Sequence, residues 1–209
     1  MRRLILLAAT AAALLGFVPH AFAAGWALTV DTPLSYSFKE ANVNKTNAGG
    51  GVGQYDKQTT GDVSGSKVLL IAPFHVGVGY EDYSVSQDIT ISNCPSPCAG
   101  KAKINFQIID VVIDIPLHYL NIGLGYGSGT ANVDIELPQG AGGTLKVRNA
   151  NVDQIFVTLG IPLGQHLDLH VGYHRVSVEE KDLVTGGNSQ PDQLLVSGDM
   201  LSAGLRLNF

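Results

Sequence analysis

Cysteine occurs twice, methionine twice and tryptophan once in the 209 residues. Cys94 and Cys98 flank Pro-Ser-Pro, so at most one small loop-stapling disulfide can form, and in an oxidising compartment they are expected to pair. A Cys-x-x-x-Cys spacing is nonspecific as a redox motif. After residue 23 no apolar run reaches the roughly 18 residues that a membrane-spanning helix needs, which excludes a helix-bundle membrane protein. Thirteen Lys and Arg against 18 Asp and Glu leave a net charge of -5. No basic cluster points to nucleic acid. The glycine-rich stretches lead into no helix, so they are not phosphate loops. His166, His170 and His174 stand four apart. In a strand that spacing is about 13 Å, too far for one metal ion.

What is present begins with an export signal. Arg2 and Arg3 precede an apolar run from Leu4 to Val18, and Ala21-Phe22-Ala23 is a small-x-small cleavage box. Residues 1–23 therefore read as a cleaved secretory signal peptide, leaving 24–209 as one domain.

The rest of the chain alternates. In the last eight residues Ala203, Leu205, Leu207 and Phe209 interleave with Ser202, Gly204, Arg206 and Asn208. That is a strand with one apolar and one polar face, and it needs a partner for its free edge. The first strand, about 26–38, is the expected partner, and their pairing closes a barrel. Pro33 cannot donate to a ladder, so a bulge or bend is expected there. Three proline-marked hairpins follow, near 67–72 with 75–85, 103–115 with 119–128, and 149–161 with 166–178. Together these make eight strands. Connections at 73–74, 116–118 and 162–165 are short. Those at 39–66, 86–102, 129–148 and 179–197 are long and polar. This asymmetry fits an all-β, eight-stranded antiparallel up-and-down transmembrane β-barrel with periplasmic turns and extracellular loops.

Tyr80, Tyr126 and Tyr173 lie about seven residues past their turns, roughly 18 Å of height at ~3.3 Å per residue and ~40° of tilt. All three sit on the apolar face. They read as an interfacial aromatic belt, with Trp26 and Phe209 on the opposite rim. Period two alone does not say which face is inward. Export signal, loop asymmetry and tyrosine height favour a polar lumen over the apolar interior of a soluble barrel. Between 103 and 115 the apolar phase changes, from Ile104, Phe106 and Ile108 to Val111, Ile113 and Ile115. A bulge near Ile108-Ile109 would restore one apolar face.

A polar face turned inward gives a lumenal charge network of Asp31, Asp110, Asp114, Asp168, His170 and Arg206. Barrel closure makes Asp31 and Arg206 neighbours at comparable height, so they are expected to pair. A buried charge needs such a partner. The network is either structural filler or the gate of a narrow pore. No His stands close to a Ser on the outward face, so no catalytic residue is assigned and the chain is not expected to be an enzyme.

Gly204, Leu207 and the terminal Phe209 also resemble the C-terminal insertion signal of outer-membrane barrels. With strand count and loop asymmetry, the mature chain resembles the small eight-stranded outer-membrane barrels such as the OmpA transmembrane domain, OmpX and OmpW. The resemblance implies residence in the bacterial outer membrane, insertion by the barrel-assembly machinery and contact with outer-membrane lipid and lipopolysaccharide. It carries over no active residue, and no cofactor is expected. A monomer is expected, serving as a narrow channel or transport route for small solutes. The alternative is a barrel with a plugged lumen that acts through its long loops, as an adhesin-type or structural protein.

Overall fold

Alternate residues of the main segments are rich in β-branched residues, aromatics and leucine, a pattern that fits extended chain on a half-buried surface. The computed structural model describes residues 25–38, 54–56, 60–92, 98–117, 119–136, 144–164, 166–178 and 196–209. They hold nine strands: β1 (Ala27–Phe38), β2 (Gln54–Asp56), β3 (Thr60–Ile71), β4 (Val76–Ser92), β5 (Cys98–Pro116), β6 (Asn121–Glu136), β7 (Thr144–Pro162), β8 (Leu167–Val178) and β9 (Gly198–Asn208). Every pairing is antiparallel, and the ring runs β1-β3-β4-β5-β6-β7-β8-β9 and back to β1. The short β2 lies outside the ring, against the last residues of β4. The fold is thus the expected all-β, closed, eight-stranded antiparallel barrel, and closure removes its edges. The expected signal peptide, residues 1–23, lies outside the described residues.

Backbone hydrogen bonds close three tight turns, the amides of Ala72, Leu117 and Leu163 donating to the carbonyls of Val76, Leu120 and Leu167. All lie at the end where β1 begins and β9 finishes, and there the Phe209 amide donates to the Trp26 carbonyl at 2.8 Å. This is the near end of the barrel.

Pro33 does mark a bulge. Pro33 opposes Ser202 and Ser35 opposes Leu201, so Leu34 is an extra residue on β1. The extra residue reverses the phase beyond it. Tyr36, on the apolar face by simple alternation, turns inward and is fully buried, while Ser37, on the polar face by the same alternation, is exposed.

The bulge expected near Ile108-Ile109 does not exist. β5 keeps unbroken register with both neighbours, and Ile104, Phe106, Ile108, Asp110, Val112 and Asp114 form one buried face. What changes is the polarity of the faces. Near the turns the outward residues are apolar: Val78 and Tyr80, Ile109 and Val111, Ile155 to Ile161, Leu169 to Tyr173, Leu201 to Leu207. One step further they become polar: Asp82, Gln107, Asp153, Arg175 and Asp199. The inward face changes the opposite way at the same height, Glu81 to Tyr83, Asp110 to Ile108, Gln154 to Val152, His174 to Val176 and Ser202 to Met200. An apolar outer band suits lipid, and beyond it an apolar interior with a polar outside suits water.

This exchange also explains why the far parts of the strands look like loop in the sequence. Residues 60–66, 86–92, 98–102, 129–136 and 144–148, expected as loop, are strand. β4 to β7 run for 17, 19, 16 and 19 residues, against 12, 12, 12 and 11 for β1, β3, β8 and β9. A seven-residue excess is roughly 18 Å of extra wall at ~3.3 Å per residue and ~40° of tilt.

Candidate functional site

The lumen is the candidate site, and its near half is charged. Arg206 on β9 forms a two-pronged ion pair with Asp114, at 2.8 and 2.9 Å. Its Nε also donates to Asn208 at 2.9 Å and lies 3.6 Å from Asp168. Asn121 donates to Asp168 at 2.8 Å, and the half-buried His75 lies 3.8 Å from Asp114. β9 and β5 are four steps apart in a ring of eight, so the Arg206–Asp114 pair crosses the whole lumen.

Lys67 on β3 anchors a second cluster. Its ammonium lies 2.6 Å from Glu81 and 3.0 Å from Asp110, and 3.4 Å from the centre of the Phe156 ring. Gln154 donates to Asp110 at 2.8 Å. His174 stacks on Phe156 at 5.1 Å, sits 3.5 Å from Glu81 and 3.1 Å from Ser202. His170 lies 3.4 Å from Asp31. Phe156 and His174 stand on the wall opposite Lys67 and Glu81, so this cluster also spans the lumen. Ion pairs buried this way lose hydration, and only several well-placed partners offset that cost.

The far half holds no comparable charge cluster among the described residues. Tyr36, Tyr83 and Phe106 meet at its base, with Phe106 stacked 4.6 Å from Tyr83 and 5.9 Å from Tyr36. Ile104, Ile108, Val85, Val133, Val152, Val176 and Met200 fill the space around them. The Tyr36 hydroxyl donates to the Val196 carbonyl at 2.7 Å, which satisfies its polar end.

All six residues of the expected network are inward and buried. The expected Arg206–Asp31 pair is absent. Register sets Asp31 opposite Gly204 and Arg206 opposite Thr29, and Arg206 reaches across to Asp114 instead. Asp31 keeps His170. Sequence reasoning missed Lys67, Glu81, Gln154 and Phe156. A usable signal existed for Glu81: it follows Gly77 and Gly79 in the phase opposite Tyr80. The inward glycines of β6 do not widen the lumen either. A Cβ on Gly123, Gly125 or Gly127 would overlap Thr158, Phe156 or Asp110, so neighbouring side chains already fill that room.

Ser202, His174 and Glu81 stand in the order nucleophile, base, acid. All three are buried, and the adjoining cavity of about 10 Å³ has room for one water at most. No substrate carbonyl fits there.

Among the expected belt residues, Trp26, Tyr80, Tyr173 and Phe209 are exposed on the outer surface and Tyr126 is half-buried. Gly204, Leu207 and Phe209 lie at the seam with β1. Cys94 is outside the described residues, so its expected pairing with Cys98 is too.

No protein-family model matches the chain, and no curated protein matches it in sequence. Among solved structures it is similar to Neisserial surface protein A, NspA, at 11% identity and TM-score 0.46, covering 90% of this chain and 98% of that one. It is similar to the outer membrane protease OmpT from Escherichia coli at 12% identity and TM-score 0.46, covering 72% and 65%. It is similar to the translocator domain of the autotransporter NalP from Neisseria meningitidis at 10% identity and TM-score 0.31, covering 99% and 96%. The barrel itself is established by strand register rather than by these likenesses. Closed, antiparallel, eight-stranded and apolar around its near half, the chain has the architecture of a small bacterial outer-membrane barrel.

Proposed function

We propose that this chain is a closed outer-membrane barrel that passes no solute through its resting interior and acts through its far, extracellular part. One observation carries the reading: side chains from opposite walls meet in the lumen, Arg206 with Asp114 and Lys67 with Phe156. Eight strands leave an interior just wide enough for side chains to fill. The expectation of a narrow channel finds no support in that interior. The long walls of β4 to β7, polar outside beyond the apolar band, support a platform for contact at the cell surface.

In this reading Trp26, Tyr80, Tyr126, Tyr173 and Phe209 form the two interfacial belts. Gly204, Leu207 and Phe209 are the signal read by the barrel-assembly machinery. The exported, monomeric barrel touches outer-membrane lipid and lipopolysaccharide, and Cys94 and Cys98 staple a loop. Function follows from contact and not from catalysis.

The test is single-channel recording in a planar bilayer at neutral pH, with insertion verified by heat-modifiable gel mobility. Inserted protein is expected to stay silent. Sustained discrete steps would overturn the reading and restore the channel.

A further inference from the structure

The outer wall of the far half sorts its charges. Among the described residues five cations are exposed on the outside: Lys101, Lys103, Lys146, Arg148 and Arg175. The first four stand on β5 and β7, the two neighbours of β6, although the whole chain carries a net charge of -5. At the same height the outward face of β3 and β4 holds Asp62 and Asp88 and, among the described residues, no cation.

Register assembles the patch around β6. Asp134 stands opposite Lys103 of β5 on one side and Lys146 of β7 on the other. Each lysine is one strand spacing away, about 4.8 Å between backbones. Next to Lys146 the β7 ladder shifts. Val147 opposes Val133 and Ala150 opposes Ala131, so Arg148 and Asn149 together face Asn132. This is a bulge, with Asn149 at a φ of 54° and its amide donating to Asn132 Oδ1 at 3.1 Å. The bulge leaves Arg148 on the outside, where its Nη2 donates to Asp134 at 2.6 Å. That hydrogen bond holds the Asp134 carboxyl below its ordinary value, and the charges of Arg148, Lys146 and Lys103 add to the effect. Lys101, by contrast, stands between Asp88 and Glu136. Three exposed cations thus share one carboxylate and leave two positive charges over.

Charge and height together select a partner. A phosphate monoester carries about -1.5 to -2 charges at neutral pH, which matches the excess. Lys103 is six residues past Ile109, the last apolar outward residue of β5, which is roughly 15 Å at ~3.3 Å per residue and ~40° of tilt. A wall that faces sideways at that height meets the molecules of its own leaflet. Phosphates next to the acyl chains lie at the edge of the apolar band, so groups this far beyond it belong to the saccharide.

We propose that Lys103, Lys146 and Arg148 form a docking site for a phosphate group on the core saccharide of the lipopolysaccharide beside the barrel. Asp134 keeps the Arg148 guanidinium between the two lysines. The site rests on the reading that the far half is extracellular, and it gives one side of that wall a partner of defined chemistry.

The experiment is a titration of the full refolded barrel in detergent micelles with rough lipopolysaccharide, the bound copies counted by native mass spectrometry. Two preparations are compared, one with phosphorylated core heptoses and one from a strain that cannot phosphorylate them. Both keep lipid A. Wild type is expected to bind the phosphorylated form more tightly. Removing each cation should weaken that binding about fivefold, and the triple variant Lys103→Gln, Lys146→Gln, Arg148→Gln on the order of 100-fold. Lys101→Gln should weaken it far less. Heat-modifiable gel mobility verifies folding, and Arg148→Gln alone serves should the triple variant fail to fold. Equal binding of the two preparations by wild type, wild-type binding by the folded variant, or equal damage from Lys101→Gln and Arg148→Gln would overturn the site. Conductance plays no part in this readout. A silent barrel with no preference for core phosphate defeats the site alone, and a conducting barrel with that preference defeats only the closed-lumen reading.

Discussion

The near half of the lumen packs Lys67 and Arg206 among five carboxyl groups, while the far half packs Tyr36, Tyr83 and Phe106 among aliphatic chains. The same strands build both. The wall exchanges its apolar face from outside to inside at one height, because the surroundings change there. Where the outside is apolar, the polar residues of each strand have only the lumen to occupy. Where the outside meets water, the hydrophobic effect sends apolar side chains in. The near half is therefore held by directional ion pairs and the far half by non-directional packing, and the two should respond differently to the same kind of damage.

Removing the central cation attacks the near half hardest. Lys67→Met leaves Glu81 and Asp110 facing each other without compensation. A loss of about 3–5 kcal/mol is expected in urea unfolding. Adding Glu81→Gln and Asp110→Asn to it removes the stranded charges and should restore most of that loss. A triple variant no better than the single would mean the cluster is not electrostatic. Next in size is Gly125→Ala. The new methyl meets Phe156, which is already held between Lys67 and His174, so about 1–3 kcal/mol of overpacking is expected. Were it tolerated without cost, the near half would be looser than described.

The far half should yield less to a comparable trim. Ile104→Val deletes one methylene from fully buried packing and should cost about 0.5–1.5 kcal/mol by the same assay. That loss should not vary between pH 6 and 9. A pH-dependent cost would blur the distinction between the halves. Smallest is the outer surface beyond the apolar band, where Arg148 donates to Asp134 at 2.6 Å. That hydrogen bond holds the Asp134 carboxyl below its ordinary value. Its contribution is present above the usual carboxylate range and is lost as pH falls through the depressed value. Arg148→Ala should cost about 0.2–1 kcal/mol at neutral pH, and less in high salt because both groups meet solvent. A cost that ignores salt would place this pair with the buried ones.

Much of this was legible in the chain. Alternation gave the eight strands, prolines gave the near-end turns, and Pro33 announced its bulge. The inward sides of Asp31, Asp110, Asp114, Asp168, His170 and Arg206 could all be read. Tyr36 could not, because one inserted residue reverses every side chain after it. The phase change in β5 is visible in the sequence but does not mark a bulge. The alternation never broke there, and only the outside of the barrel changed.

The sequence by itself determined the near-end strands and, away from the Pro33 bulge, which of their residues share a face, because both follow from a period of two that neighbours in the chain enforce. Only the tertiary structure decided which residues meet. Arg206 finds Asp114 and Lys67 finds Phe156 across four strands of the ring, separations set by the stagger of the closed barrel and written in no local pattern.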